Sequence, residues 1–240
     1  MTLEETAQQA VILDTETNSL NGLPIEIAYG YTQIILNDKQ LPELTYAKDE
    51  VFHQYYSIRG EPIEYAAMAV HHIIENDIAG MPDYSEFTLP DQVKYIIGHN
   101  IDYDIQAISK CGVDTSAIKS ICTLALARDI YPELSAHNLS ALLYFIFNGG
   151  PNIRERIKNA HSAKVDIGLT ALLLRHFIAR TGIDNMEDLY AYSEMARIPK
   201  VMYFGKHKGQ ALCDLPPGYV SWLLNQEDVD PYLRKALQQL

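Results

Sequence analysis

Four apolar residues in a row, Ala10-Val11-Ile12-Leu13, stop abruptly at Asp14. A short run without polar alternation reads as a strand buried on both faces, and such a strand needs a layer of structure on each side. A turn over Asn18 to Pro24 follows, marked by Gly22 and Pro24. Ile25 to Leu36 and Val51 to Ser57 are rich in β-branched and aromatic residues, with Asn37-Asp38 and Pro42 punctuating the interval. With the first run they predict a three-stranded antiparallel meander. Tyr95 to Gly98 is another short buried strand, followed by a helical pattern from Asp102 to Lys110, and Ile118 to Thr123 is a fifth strand leading into a helix through Arg128. Further helical patterns run from Leu139 to Phe147 and from Ala163 to Arg180, separated by an expected loop at Asn148 to Pro151. The expected fold class is therefore α/β, a mixed five-stranded sheet with helices on both faces.

Thr181-Gly182 breaks the last long helix. We expect a main domain over 1–182 and a small C-terminal module over 183–240. The module opens with a short helix, Met186 to Met195, and closes with a compact tail carrying Gly205, Gly209, Pro216-Pro217 and Gly218. No internal repeat or low-complexity segment interrupts the chain.

With 48% apolar and 21% charged residues the composition is that of an ordinary globular protein. No stretch of about eighteen apolar residues exists, so no membrane span is expected. Met1 to Ala10 carries Glu4 and Glu5, without the basic start or apolar core of a secretory signal. Cys111, Cys122 and Cys213 have neither metal-ligand spacing nor an even count. Together these features suggest a reduced, cytoplasmic enzyme. The net charge of −12 disfavours simple electrostatic capture of nucleic acid. Its distribution is uneven: residues 1–199 hold 14 basic and 27 acidic side chains, residues 200–240 hold 5 and 4. An acidic body suits a protein that meets an anionic substrate through bound cations.

Three groups of residues carry the candidate chemistry. Asp14 and Glu16 lie at i and i+2 of a strand end, so both carboxylates can face one spot, which a cation would make affordable; a solvated strand end is the plain alternative. His99-Asn100-Ile101-Asp102-Tyr103-Asp104 directly follows a strand, where open α/β sheets place ligands. Asp104 enters the next helix, and Asp102 reads as its N-cap. The third group is His161-Ser162-Ala163-Lys164-Val165-Asp166. Five helical steps turn through about 500°, which leaves His161 and Asp166 on different faces. Asp166 then belongs to the first turns of the helix, and His161 to a less regular segment able to swing towards a metal-bound water.

In this order the three groups resemble the motifs of the DEDDh family of 3′→5′ exonucleases, which share an RNase H-like fold. Asp14 and Glu16 match Asp-x-Glu; His99 to Asp104 match His-Asn-x-x-Phe-Asp, with Tyr103 for the aromatic; His161, Ala163 and Asp166 match His-x-Ala-x-x-Asp. Ala67 to His71 and Ile121 to Thr123 also look like family segments, so the resemblance spans about residues 10–180. Ser162, four before Asp166, disfavours the sister group with Tyr-x-x-x-Asp. Tyr203-Phe204-Gly205-Lys206 through Trp222-Leu223-Leu224 resembles the C-terminal tail of one bacterial branch of the family.

The resemblance implies a 3′→5′ exodeoxyribonuclease that releases nucleoside monophosphates, with a role in DNA repair. Asp14, Glu16, Asp104 and Asp166 would hold two Mg²⁺, with Mn²⁺ able to substitute, and His161 would be the general base. The residues after the first motif would cover the terminal nucleotide: Thr15, Thr17, Asn18, Leu20 and Asn21. Leu20 would either wedge beside the last base or anchor the turn in the core. His71, His99 and Asn100 are further substrate-binding candidates, with a structural role for at least one of His71 and His72. Arg154, Arg156, Lys158 and Lys164 form a basic cluster around His161 that is either a phosphate contact or a solvated loop. In the tail, lysines interleaved with aromatics either bind single strands or build a small core. The expected partner is DNA with a 3′ end, single- or double-stranded, and no membrane. The alternatives are RNA 3′-end trimming and a non-catalytic nuclease-like binding module.

Overall fold

The computed structural model describes residues 9–240, so Glu4 and Glu5, used above to set aside a secretory signal, lie outside the described residues. Strand β1 (Ala10–Thr17) is the centre of the sheet, antiparallel to β2 (Pro24–Leu36) on one side and parallel to β5 (Tyr95–Gly98) on the other. β6 (Lys119–Cys122) extends the parallel half. The outer edge of the long β2 is shared by two short strands. β4 (Phe52–Tyr55) pairs with its first half, and β3 (Pro42–Tyr46) with its second. The mixed α/β architecture is as expected, with six strands in place of five. The added strand is β3, whose opening Pro42 resembles loop punctuation in sequence and is tolerated here because the strand lies at an edge.

Ten α-helices complete the described chain: α1 (Tyr65–His71), α2 (Glu75–Ile78), α3 (Asp102–Ser109), α4 (Thr123–Ile130), α5 (Leu139–Ile146), α6 (Pro151–Ile157), α7 (Ala163–Thr181), α8 (Met186–Arg197), α9 (Pro217–Leu224) and α10 (Pro231–Leu237). Side-chain alternation on β1 divides the core. Ile12 faces α7, with Ala28, Ile97 and Ile121 beneath Ile167, Leu174 and Phe177. Val11 and Leu13 face the other way, against Ile101 and Ile108 of the α3 region and against Tyr56 and Phe87. Asp14 and Glu16 continue the Ile12 face, so they emerge on the side where α7 crosses β1 and β2.

The expected loop at 148–151 gives way to α6, because Pro151 stands at the first helical position, where its missing N–H costs nothing. Helix α8, which follows Gly182, packs on α4 and β6 and buries Leu189 in the main core. A separate cluster of Met202, Leu212, Leu215, Leu223, Leu233, Ala236 and Leu237 forms the core of the tail.

Candidate active site

Three carboxylates meet where β1 emerges from the sheet. Ligand-type oxygens of Asp14, Glu16 and Asp166 all lie within 4.8 Å of one another. Strand geometry supplies the first two, and the first turn of α7, packed over β1, supplies the third. Asp104 reaches the group from α3, held by Thr15, whose backbone N–H and hydroxyl both donate to Oδ1 at 2.8 Å. Burial raises the proton affinity of all four groups, and neighbouring carboxylates add to it. Asp14 is pushed well above the carboxylate range by burial, then by Asp104, Asp166 and Glu16. Glu16 is pushed up to about 8 by burial, then by Asp166 and Glu26. Burial also raises Asp104 and Asp166, against hydrogen bonds from Thr15 and from the His161 N–H respectively.

The donor set fits hard divalent cations, which favour carboxylate oxygens. One atom makes the case specific. Asp166 Oδ2 accepts from the His161 N–H at 3.1 Å, while Asp166 Oδ1 is buried with no hydrogen-bond partner. A buried carboxylate oxygen left without a partner is costly, and a cation at this spot would satisfy it. His161 itself is exposed, in a left-handed backbone conformation with φ of 70°. Its side chain is therefore free of the helix that fixes Asp166.

Glu26 is the buried carboxylate that the sequence reading passed over. It is fully buried on β2, directly across from Glu16 in the strand register. His53 Nε2 lies 2.7 Å from Oε1, the Ser162 hydroxyl donates to Oε1 at 3.1 Å, and the Ala163 N–H donates to Oε2 at 3.1 Å. Glu26 thus pins the start of α7 immediately after His161. The available signal was a single carboxylate between Ile25 and Ile27 in an otherwise apolar strand segment.

The other candidates fall into groups. Thr15 is buried and orients Asp104. Thr17 donates to the Ser19 carbonyl at 2.7 Å, and its hydroxyl also meets that of Tyr103, so the phenol at this position ties α3 to the loop after β1. Asn18 is buried; its amide donates to the Pro62 carbonyl and its Oδ1 accepts from the Leu23 N–H. It holds the turn, and Gly22 permits this because a Cβ there would lie 2.2 Å from Asn18 Oδ1. Leu20, 82% exposed, crowns that turn and is not a core anchor; Asn21 beside it is exposed too. His71 is buried, its Nδ1 accepting from the Ile73 N–H, and burial lowers its pKa. His72 caps α1 in the left-handed conformation. His99 is pulled down to about 4 by burial; its two ring nitrogens meet Thr123 Oγ1 and the His137 carbonyl. Asn100 is exposed, in the left-handed conformation that asparagine tolerates.

Of the basic cluster, Arg154 and Arg156 lie on α6, Lys158 caps its C-terminal end and Lys164 opens α7. All four side chains belong to exposed residues, but Lys158 pairs with Glu155 at 2.8 Å. Arg154 and Lys158 are one turn apart on a shared side, which Arg156 does not share. Asp102, read as an N-cap, instead pairs with Arg197 of α8.

The sheet order and the helices on both faces define a mixed α/β fold with the carboxylates at the end of its central strand. The solved structure of exonuclease X in complex with 5′-overhanging duplex DNA shares this fold: TM-score 0.53 and 23% identity, covering 75% of this chain and 99% of that one. A full-length 3′-exonuclease matches with a TM-score of 0.49 and 14% identity, over 73% of this chain and 62% of the other. A sequence family described as "Putative quorum-sensing-regulated virulence factor" matches residues 193–232. No curated protein matches the chain.

Proposed function

We propose that this chain is a metal-dependent 3′→5′ exodeoxyribonuclease. The observation that carries the reading is the convergence of Asp14, Glu16 and Asp166 around the unpartnered Asp166 Oδ1, at the strand end of this fold. Asp14, Glu16, Asp104 and Asp166 would hold two Mg²⁺ ions. Bound there, the ions supply charge stabilisation for the attacking and leaving oxygens of an in-line phosphodiester hydrolysis.

The chain's own side chains divide the remaining work. His161, exposed and on a segment outside the helix, takes the proton from the attacking water, an effect typically worth about 10²–10⁴-fold. Leu20 stands open at the turn after β1, where it can lie against the terminal base. Asn100 offers its amide from the end of β5. Arg154 and Lys158 face an approaching phosphate backbone. DNA is chosen as the substrate because the exonuclease X structure holds a DNA duplex.

The test is incubation with 3′- and 5′-labelled single- and double-stranded DNA, with matched RNA strands, in Mg²⁺ and in EDTA. The 3′ label should be released first, from DNA faster than from RNA, and not at all in EDTA. Asp14→Ala and Asp166→Ala should each slow hydrolysis about a thousandfold or more, as loss of several kcal/mol of charge stabilisation demands, while circular dichroism stays native. Either variant working at near wild-type rate would refute the ligand assignment.

A further inference from the structure

The tail carries a stacked aromatic pair of which its own core uses only one ring. Tyr219 and Trp222 lie three residues apart on α9 and therefore share a side of the helix. Their rings are stacked, with centroids 5.5 Å apart and planes 24° from parallel. Tyr219 is covered in turn by the His207 ring at 4.4 Å and by Lys206 Nζ at 5.3 Å. Trp222 remains 53% exposed. Tyr219 packs against the tail core of Met202, Leu212, Leu223 and Leu233, whereas Trp222 takes no part in it. Around the two rings lies an open hollow of about 630 Å³, lined by Lys206, His207, Pro216, Gly218, Tyr219 and Trp222.

Charge selects the occupant. The tail carries 5 basic and 4 acidic residues against 14 and 27 in the body. Among the described residues neither Lys206 nor Lys208 forms an ion pair. The loop bearing both lysines also reaches the body. Lys208 and Gly209 line a second cleft, of about 860 Å³, together with His99, Asn100, Arg128 and Tyr203. That cleft opens at the end of β5, just before the helix that supplies Asp104.

We propose that the hollow around Trp222 is a second binding site, for an unpaired stretch of DNA, with a base stacked on Trp222 and the flanking phosphates on Lys206 and Lys208. Planar rings beside unpaired cations match the two chemistries that every unpaired nucleotide offers, a base face and a phosphate, without regard to sequence. A strand held here would be tethered while its end is processed at the carboxylates. The choice of polynucleotide rests on the exonuclease reading; the shape and charge of the hollow do not.

Trp222 is the single tryptophan, so its fluorescence reports on this site alone. The full chain, in EDTA so that no hydrolysis occurs, is titrated with oligothymidylate, with an abasic oligodeoxynucleotide of equal length and with oligouridylate. Oligothymidylate should quench saturably, and the abasic strand should not. By fluorescence anisotropy, Trp222→Ala should weaken binding about tenfold. Lys206→Gln with Lys208→Gln should make the salt dependence shallower by about 1.4 in log–log slope, two single-strand phosphate contacts' worth. Trp222→Ala should leave Mg²⁺-dependent hydrolysis of a nitrophenyl ester of thymidine monophosphate unchanged, since that substrate has no strand to reach the tail. A wild-type protein inert to the ester would count against the exonuclease reading and not against this site. Binding without quenching, equal quenching by the abasic strand, an unaltered salt slope in the lysine variant, or capture of oligouridylate alone would overturn the proposal.

Discussion

Removing the Glu26 side chain takes away three partnerships at once: with His53, with the Ser162 hydroxyl and with the Ala163 N–H. Glu26→Ala leaves the buried Ala163 N–H unpaired, along with the part-buried His53 and Ser162, and should cost about 3 kcal/mol, measured by urea unfolding in EDTA. It should also lower kcat for DNA with little change in KM, because the tether lost is the one beside His161 and Asp166. An unchanged kcat in a variant that is merely less stable would show that the start of α7 holds itself. The carboxylates of the site were legible in sequence because each lies towards the end of a strand or in the first turn of a helix, at spacings that fix its direction. Glu26 was not, because its meaning lies in a contact with a segment 136 residues away. Thr15 and Asn18 likewise sit inside a recognisable motif, yet what they do there, orienting Asp104 and bracing a turn, is visible only once the loop is folded.

Helix α8 ties the body together although it follows the glycine that ends α7. Leu189 enters the main core, the Ser193 hydroxyl accepts from the Cys122 N–H at 2.8 Å, and Arg197 pairs with Asp102. A chain stopped after residue 182 loses all three and should be destabilised by at least about 3 kcal/mol, the scale of one emptied leucine site. A chain stopped after residue 199 keeps them and should unfold near the full-length midpoint in urea. Equal stability of the two truncations would place the natural boundary at 182 after all. Elements with strong local signals, the apolar strands and the long α7, could be read from the chain. Those that were missed are short and carry conflicting marks: β3 opens on Pro42, α6 opens on Pro151 behind two glycines, and the seven residues of α1 lie in a stretch without a clean helical period.

Taken as a whole, the protein gathers negative charge in one place and relies on folding to keep it there. With no cation bound, Glu16 holds its proton up to about pH 8, and Asp14, Asp104 and Asp166 are also raised, chiefly by burial. In the unfolded chain carboxylates release their protons near pH 4. Between about pH 4.5 and pH 8 the folded state therefore binds more protons than the unfolded state, and stability falls as pH rises. A divalent cation inverts the balance, because it binds the ionised carboxylates and needs their protons gone. Thermal unfolding in EDTA should accordingly show Tm declining from about pH 5.5 to pH 8. Saturating Mg²⁺ should raise Tm little at the lower pH and most at the higher one, since metal affinity grows as the protons leave. Asp14→Asn removes one ionisable group and should flatten the EDTA profile while abolishing most of the Mg²⁺ effect. A Mg²⁺ stabilisation equal at both pH values would mean that the cations bind elsewhere, and the acidic strand end would then be a cost without a use.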